Sequence, residues 1–318
     1  MFEHMLVPLD GSPLAECVLP HTVALARALG SRVTLLRVLE PTRVGDRSAS
    51  MDPLDWHMRV ADARTYLEGL KGRLLGIDLP TEFALLEGQA AERVVDFARR
   101  QGVDLIVLSS HGQSGLSGWN ISSVVQKIIM RAYVPTMIVR AYQDSLLDLT
   151  GCRYGRVLVP LDGSQRAECV LPLATALAQF HAADLLLVHV ACRPEMPRRV
   201  PAASQDVELA EQIVERNRTE ASRYLEELRS RSAFGVETQL LTAPGVAAAL
   251  HDLVEQEKVD LVVLSAHGYS GGSRWPYGSV TTSFIAYGTG PLLIVQDLSA
   301  EELEGSLAER AAREVAGH

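Results

Sequence analysis

Several features that mark common protein classes are missing from this sequence. Its four cysteines show no CxxC spacing, and its longest apolar runs are far shorter than the ~20 residues of a membrane-spanning helix. No stretch concentrates lysine and arginine, and the net charge is −9. These absences argue against a membrane protein and against a partner recognised through its phosphate backbone, because such a partner attracts clustered positive charge.

The remaining composition is that of an ordinary globular protein. Of the 318 residues, 47% are hydrophobic and 22% are charged. The first residues, MFEHMLVPLDGS, lack the basic region and cleavage site of a signal peptide. Cys17 and Cys169 lie in apolar helical stretches, where a cysteine usually acts as a small hydrophobe. We therefore expect a cytoplasmic protein with no nucleic-acid and no membrane partner.

One module of the chain occurs twice. LVPLDGSPLAECVLP at 6–20 returns as LVPLDGSQRAECVLP at 158–172, and a second block at 103–124 returns at 259–280. A period of about 150 residues is long enough for a domain with its own core. We predict one domain over 1–142, a second over 153–298, a linker near 141–154 and a polar helical tail over 299–318.

Each copy alternates short apolar runs with longer segments of helical period, which predicts an α/β fold with a parallel sheet covered on both faces. Pro20 and Pro172 fall inside predicted helices, where we expect a kink. The predicted strands are 4–9, 32–39, 80–86, 103–109 and 135–140 in the first copy, and 155–161, 184–190, 236–242, 259–265 and 291–296 in the second. The predicted helices are 13–29, 54–75, 89–101 and 121–132, then 165–180, 205–232, 246–257 and 279–288.

The predicted site lies at the carboxyl ends of these strands. Ligands of doubly wound sheets bind where the strand order reverses, and two segments of each copy should converge there. In the second copy these are 160–164, at the end of the first strand, and the loop after the fourth strand, which ends at Gly278 and Ser279. Small residues and a helix N-terminus, with Ser279 as its N-cap, would form an anion cradle.

These segments resemble those of the universal stress protein family in its tandem two-domain form. The resemblance rests on the strand-end aspartate of a P-x-D-x-S-type segment, a valine ending the second strand and a loop close to G-x-x-G-x(9)-G-(S/T), and it covers 1–297. It implies a Rossmann-like, HUP-type sheet of order 3-2-1-4-5 in each copy, with ATP, with or without Mg²⁺, at the switch point. The aspartate and the valine would contact adenine, and the loop would line ribose and phosphates.

The second copy keeps most of this pattern. Ser265 replaces the first glycine of the loop, and Arg274 inside the loop would donate to a phosphate. The resemblance thus implies a nucleotide site in the second domain formed by Pro160, Leu161, Asp162, Val190, Ser265, His267, Gly268, Arg274, Gly278 and Ser279.

The first copy departs further, because it keeps only Gly112 of the three loop glycines. Gly118 stands in the place of Arg274, and Ser122 puts a Cβ where backbone should approach phosphate. A weaker second site is therefore expected from Pro8, Asp10, Val38, Ser109, Gly112, Ser122 and Ser123.

Other interpretations stay open. The two strand-end aspartates precede Gly-Ser and would cap the following turn and helix as well as bind a base. The histidines of the loops, His111 and His267, are more typical of hydrogen-bonded loop residues than of catalysts. Ser270 lies in a G-x-S-x-G match that fails in the first copy, which argues against a hydrolase elbow. Trp119 and Trp275 are more typical of packing residues than of ligand-stacking ones.

The sequence and the resemblance together predict an adenine-nucleotide-binding stress sensor or switch without a catalytic residue. The alternatives are a non-nucleotide interaction protein of the same fold and a slow ATP hydrolase. In the family the fifth strands pair between subunits, so the resemblance implies that the two domains pair as an intramolecular pseudo-dimer. A further homodimer is left open.

Overall fold

The computed structural model describes residues 2–41, 53–112, 121–141, 148–192, 204–269 and 276–297. The chain forms two compact units that divide between Arg153 and Tyr154. We call the described residues before this point domain 1 and those after it domain 2. The predicted loops around 40–53 and 192–204 fall mostly outside the described residues, as does the predicted C-terminal tail.

Domain 1 is a doubly wound parallel sheet of five strands in the order β3-β2-β1-β4-β5, as predicted. Its elements run in chain order as β1 (His4–Pro8), α1 (Pro13–Glu16), α2 (Val18–Leu29), β2 (Arg32–Leu39), α3 (Pro53–Leu75), β3 (Thr81–Glu87), α4 (Ala90–Arg100), β4 (Leu105–Ser109), α5 (Ser123–Ala132) and β5 (Thr136–Val139).

Domain 2 repeats this arrangement with the strand order β8-β7-β6-β9-β10, and its described strand pairs are all parallel. Its elements are β6 (Arg156–Pro160), α6 (Gln165–Glu168), α7 (Leu171–His181), β7 (Asp184–Cys192), α8 (Ser204–Arg231), β8 (Val236–Ala243), α9 (Val246–Gln256), β9 (Leu261–Ser265), α10 (Ser279–Tyr287) and β10 (Leu292–Val295).

The apolar runs of the sequence form the middle of each sheet. Every residue of β4 and of β9 is buried, because helices cover both faces of a doubly wound sheet. The helices present a narrower apolar face: in α4 the buried residues are Ala91, Val94, Val95 and Ala98, at helical spacing. None of the described helices is both long enough and apolar enough to span a membrane.

The first predicted helix of each copy is two helices, and this corrects the expectation of a kink at proline. Helix α1 ends at Glu16 and α2 begins at Val18, so that Pro20 stands in the first turn of α2. Pro172 likewise stands at the start of α7. First-turn N–H groups have no partner within the helix, so proline there removes no hydrogen bond. The chain therefore restarts its helix ahead of each proline.

The strand order fixes where a ligand would sit. In each domain the first strand pairs with the second strand on one side and with the fourth on the other. The chain turns away from the sheet in opposite directions at this position, which opens a crevice beyond the carboxyl ends of the strands. Asp10 and Asp162 are the second residues after the first strands and line this crevice.

Candidate functional site

Asp162 links the end of β6 to the loop that follows β9. Its Oδ1 accepts hydrogen bonds from the N–H of Ser164 at 3.0 Å and from the hydroxyl of Ser164 at 2.6 Å. Its Oδ2 accepts the N–H of Tyr269 at 2.6 Å. The turn-capping role considered for this aspartate is therefore present. The same carboxylate also fastens the loop over the end of the first strand.

Gly268 allows this close approach. A Cβ at Gly268 would overlap the Asp162 carboxylate, so any other residue would push the loop away from β6. Domain 1 contains the same turn and the same close approach: Asp10 Oδ1 accepts the N–H and the hydroxyl of Ser12 at 2.9 and 2.7 Å, and a Cβ at Gly112 would overlap Asp10. The glycine that both copies keep is thus the one that their folded loops require.

Gly278 is different, because nothing in the described part of the fold requires a glycine there. Its φ of −71° suits any L-residue, and an added Cβ would lie 3.6 Å or more from its neighbours, an ordinary packing distance. Gly278 is the N-cap of α10 and Ser279 is the first helical residue, which corrects the expectation that Ser279 is the cap. No side chain caps this helix among the described residues, so its first N–H groups face the crevice without a side-chain acceptor.

The matching helix of domain 1 is capped. Ser122 is the N-cap of α5, and its hydroxyl accepts the N–H of Val125 at 3.3 Å. An anion at this helix end would compete with that hydroxyl for the N–H groups. The exchange of Ser122 for Gly278 therefore changes two properties of the helix end: whether a hydroxyl occupies its N–H groups, and how much room a ligand has beside them.

His267 is held inside domain 2, as expected for a hydrogen-bonded loop histidine. Its Nδ1 lies 2.9 Å from Oδ1 of Asp297, which also accepts the His267 backbone N–H at 3.0 Å, and both side chains are 1% exposed. Arg166 pairs with Oδ2 of Asp297 at 3.2 Å. Sequence reasoning missed this Arg166–Asp297–His267 chain. Two exchanges between the copies, Leu14 for Arg166 and Ala141 for Asp297, were its visible signals.

The domain 2 cavity brings the predicted nucleotide residues together. All of them that lie in the described part of the chain line it, and Ala167, Val188, Val246, Leu250, Leu264, Val280 and Thr281 complete the wall. The Thr281 hydroxyl donates to the Ser265 carbonyl at 2.9 Å and so ties α10 to β9. The volume of the cavity is about 130 Å³, below the roughly 300 Å³ typical of small-molecule pockets.

The domain 1 cavity is larger, about 510 Å³, although its loop has lost more of the family pattern. It gathers Pro8, Asp10, Val38, Ser109, Gly112 and Ser122 over an apolar wall that includes Val94, Leu108 and Ile128. Ser123, the remaining predicted residue, is exposed on α5 and is not among the described lining residues. The cavity volume thus favours domain 1 as the ligand site, whereas the uncapped helix N-terminus favours domain 2.

Sequence reasoning also missed the charged residues at the rim of the domain 1 cavity. Arg37 and Glu40, at the end of β2, and Arg59 and Asp62, on α3, all line it. The Glu40 carboxylate accepts the N–H of Ala90 at 2.7 Å and caps α4. These residues lie outside the two repeated blocks. The two copies differ most in those parts of the chain, so a comparison of the copies could not identify them.

Five residues weighed from the sequence lie outside the described part of the chain: Gly118, Trp119, Ser270, Arg274 and Trp275. Within the described part, no group of three or more His, Cys, Asp or Glu side chains is placed to hold a metal ion. The geometry common to both copies is therefore a strand-end carboxylate, a loop glycine close against it, and a helix N-terminus at the edge of an apolar cavity.

Comparison with known proteins points to one family. A model of the universal stress protein family matches residues 1–140 and 153–296. Universal stress protein MJ0577 of Methanocaldococcus jannaschii is 24% identical over 155 residues, 44% of this chain and 96% of that protein. Universal stress protein YxiE of Bacillus subtilis is 28% identical over 149 residues, 44% of this chain and all of its own length.

Solved two-domain structures extend the likeness to nearly the whole chain. A putative universal stress protein from Pseudomonas aeruginosa UCBPP-PA14 aligns over 98% of both chains with a TM-score of 0.67 and 14% identity. A universal stress protein from Archaeoglobus fulgidus aligns over 93% of this chain and 98% of its own with a TM-score of 0.64 and 18% identity. At these identities the likeness concerns the fold.

Proposed function

The chain belongs to the universal stress protein family, and we propose that domain 2 binds an adenine nucleotide, ATP with or without Mg²⁺, as a cytoplasmic stress sensor or switch. Asp162 and Val190 would contact the base. Gly268, Gly278 and Ser279 would lie along the ribose and phosphates, with Arg274 as a charge-assisted donor. Pairing of the two domains as a pseudo-dimer stays part of this proposal.

One observation carries the proposal: no described neighbour of Gly278 requires a glycine at this position. Its backbone angle and its surroundings would accept a side chain. The missing side chain leaves the N–H groups of α10 open at the edge of an apolar cavity, and a helix N-terminus favours phosphate through these groups and through its dipole. A ligand that approaches the backbone closely would explain a glycine at this position.

Domain 1 would bind nucleotide more weakly through the same helix end. Its Ser122 hydroxyl already occupies one N–H group of α5, so phosphate would have to displace it. We therefore expect domain 2 to bind nucleotide first. The cavity volumes argue for the opposite order, because the domain 1 cavity is the larger of the two.

Ligand binding would work as a switch by mass action. A nucleotide that binds only the folded domain at 100 times its Kd adds about 2.7 kcal/mol to the free energy of unfolding. The ligand would contact the loop that Asp162 fastens, so stabilisation of this loop is the expected response. The His267 side chain is 1% exposed and its Nδ1 lies 2.9 Å from Asp297, so this buried ring is not assigned a catalytic role.

The deciding experiment is calorimetric titration of nucleotide-free protein with ATP and Mg²⁺. We expect one strong site per chain in the wild type. Gly278→Val should remove it, because its side chain would stand across the helix end. Gly245→Val is the matched control, since Gly245 is the N-cap of α9 and a Cβ there meets nothing within 4 Å. Absence of binding in the wild type would reject the proposal.

The alternative is a non-nucleotide interaction protein, and the small cavity of domain 2 favours it. A cavity of about 130 Å³ holds a nucleotide only after the loop has moved. Under this alternative, Gly278→Val would bind the same protein partners as the wild type, and no adenine nucleotide would be released when the purified protein is denatured.

A further inference from the structure

The loop after β9 is held at its start by a buried carboxylate that follows β10. Oδ1 of Asp297 accepts two hydrogen bonds from His267, one from the backbone N–H at 3.0 Å and one from Nδ1 at 2.9 Å, and Arg166 pairs with Oδ2 at 3.2 Å. The side chains of Asp297 and His267 are both 1% exposed. Because an ionised carboxylate only accepts hydrogen bonds, the Nδ1 atom of His267 carries a proton.

Domain 1 holds the equivalent histidine with a hydroxyl instead. Ser110 is fully buried, and its hydroxyl oxygen accepts the N–H of Ala141 at 3.0 Å and lies 3.1 Å from Nδ1 of His111. Among the described residues, this Nδ1 atom is the one acceptor that the hydroxyl contacts. The hydroxyl proton therefore points to Nδ1, and the ring proton of His111 is on Nε2.

The two arrangements differ at three positions that change together. The equivalent pairs are Ser110 and Ala266, Ala141 and Asp297, and Leu14 and Arg166. Ala141 and Ala266 are both buried, so each copy has one acceptor or donor for the histidine ring and a methyl group where the other copy has its own. A buried carboxylate needs a cation, which Arg166 supplies. A neutral hydroxyl needs none, and Leu14 stands at that position.

The hold on His267 reaches the helix end to which we assign phosphate binding. The carbonyl of Ala266, the preceding residue, accepts the N–H of Gly278 at 2.8 Å, and Gly278 is the N-cap of α10. Beyond the loop glycine, Asp162 accepts the N–H of Tyr269 at 2.6 Å. Two carboxylates, one after β6 and one after β10, thus fix the loop on both sides of its glycine.

We propose that Asp297 is a positioning residue of domain 2. It holds His267 with the proton on Nδ1 and thereby sets the position of the loop and of the N-terminus of α10, whereas Ser110 holds His111 with the proton on Nε2. Its effect on phosphate rests on the nucleotide site proposed above. The two protonation patterns and the position of the loop do not depend on that site.

The first test determines which ring nitrogen carries the proton. Nitrogen chemical shifts of the isotope-labelled full chain at neutral pH distinguish protonated from unprotonated ring atoms. The variants His267→Gln and His111→Gln assign the two rings among the nine histidines. We expect a protonated Nδ1 in His267 and an unprotonated Nδ1 in His111. An unprotonated Nδ1 in His267, or a protonated one in His111, would overturn the proposal.

The second test removes the acceptor and then replaces it. Asp297→Ala should make the His267 amide exchange about tenfold faster and lower the affinity for ATP about tenfold, because both hydrogen bonds are lost. The triple variant Arg166→Leu/Ala266→Ser/Asp297→Ala gives domain 2 the residues of domain 1 at these positions. It should restore most of both losses and move the His267 proton to Nε2, which a general loss of packing would not do.

Asp252→Ala, which removes an exposed carboxylate from α9, is the control and should change neither quantity. Circular dichroism verifies that each variant folds. If the triple variant misfolds, Arg166→Leu/Asp297→Asn takes its place: the amide oxygen still accepts from His267, so the protection of this amide should persist.

Three results would each contradict the role of Asp297: unchanged exchange in Asp297→Ala, no recovery in a folded triple variant, or lost protection in the asparagine variant. Unchanged ATP affinity in Asp297→Ala, with a wild type that binds ATP, would contradict its link to phosphate. A wild type that binds no ATP would reject the nucleotide site, and the exchange rates and ring protons would still decide whether Asp297 positions the loop.

Discussion

Oδ2 of Asp162 accepts the backbone N–H of Tyr269 at 2.6 Å, so the end of strand β6 and the loop after β9 share one hydrogen bond. The residues are 107 positions apart in sequence. Both lie at the position where the sheet changes winding direction. Any ligand that enters the domain 2 cavity meets a loop whose position depends on this bond.

Asp162→Asn should loosen the loop. An amide cannot accept from both Ser164 and Tyr269 with its two side-chain atoms, because one of them is a donor. We expect a loss of about 1 kcal/mol in the free energy of unfolding of domain 2 and about tenfold faster hydrogen exchange at the Tyr269 amide. Asp252→Asn, an exposed carboxylate on α9, is the control, and equal exchange rates in the two variants would argue against the fastening role.

Gly278→Ser should give domain 2 the helix cap of domain 1. The serine hydroxyl would accept an N–H of α10, as Ser122 does in α5, and a phosphate would then have to displace it. We expect the affinity for ATP to fall about tenfold while thermal stability stays the same or rises slightly. Titration calorimetry and a melting curve measure both; unchanged affinity would mean that the helix end does not contact the phosphates.

Acid should destabilise domain 1 through His21. Burial lowers the pKa of His21 from 6.5 to about 4, so the unfolded chain binds a proton in a range where the folded domain does not. The stability from the neutral ring is complete above about pH 6.5 and is lost as the pH falls toward 4. At pH 5 the loss is about 2 kcal/mol.

Hydrogen exchange of the amides of helix α2 at pH 7.5 and 5.0 measures this loss within domain 1. A local measurement is needed because a chain of two domains does not unfold in a single two-state step. His21→Leu should flatten the pH dependence. His57→Gln, at an exposed position on α3, should keep it. A pH dependence that His21→Leu leaves unchanged would assign it to other groups.

Arg156→Gln should destabilise domain 2 more than the loss of an ordinary surface charge. The guanidinium is 20% exposed and lies 2.8 Å from Glu237, 2.8 Å from Glu257 and 3.6 Å from Asp184. Its removal leaves three carboxylates near one another without their cation. We expect a loss of about 1–3 kcal/mol in the free energy of unfolding.

Chemical denaturation of domain 2 tests this expectation. The matched variant is Arg218→Gln, whose guanidinium is 52% exposed and pairs with Glu215 one helical turn away. That change should cost less than about 0.5 kcal/mol, as exposed pairs usually do. Equal losses in the two variants would show that Arg156 acts as a surface charge.

The fold was readable from the sequence because each domain is built from local patterns repeated twice. The apolar runs predicted the strands, and the repeat showed that the same order of elements occurs twice. All ten strands begin and end within two residues of their predicted ends. The helix breaks before Pro20 and Pro172 were missed, because a proline in a first turn and a proline in a helix interior look alike in a single sequence.

The candidate site was readable only in part. Asp162 and Gly268 follow from the repeated motifs, whereas the fastening of the loop depends on contacts between residues far apart in sequence. Asp297 carried no local signal, since an aspartate after the last strand is common. Its contact with His267 joins residues that are 30 positions apart in sequence.

The difference between Ser122 and Gly278 has a genetic consequence. In a symmetric homodimer, one codon change alters both sites at once, and both subunits keep or lose a ligand together. Here the two helix ends are encoded separately, so a substitution in one copy leaves the other as it was. Every molecule therefore carries one capped and one uncapped helix end, and selection can act on each of them alone.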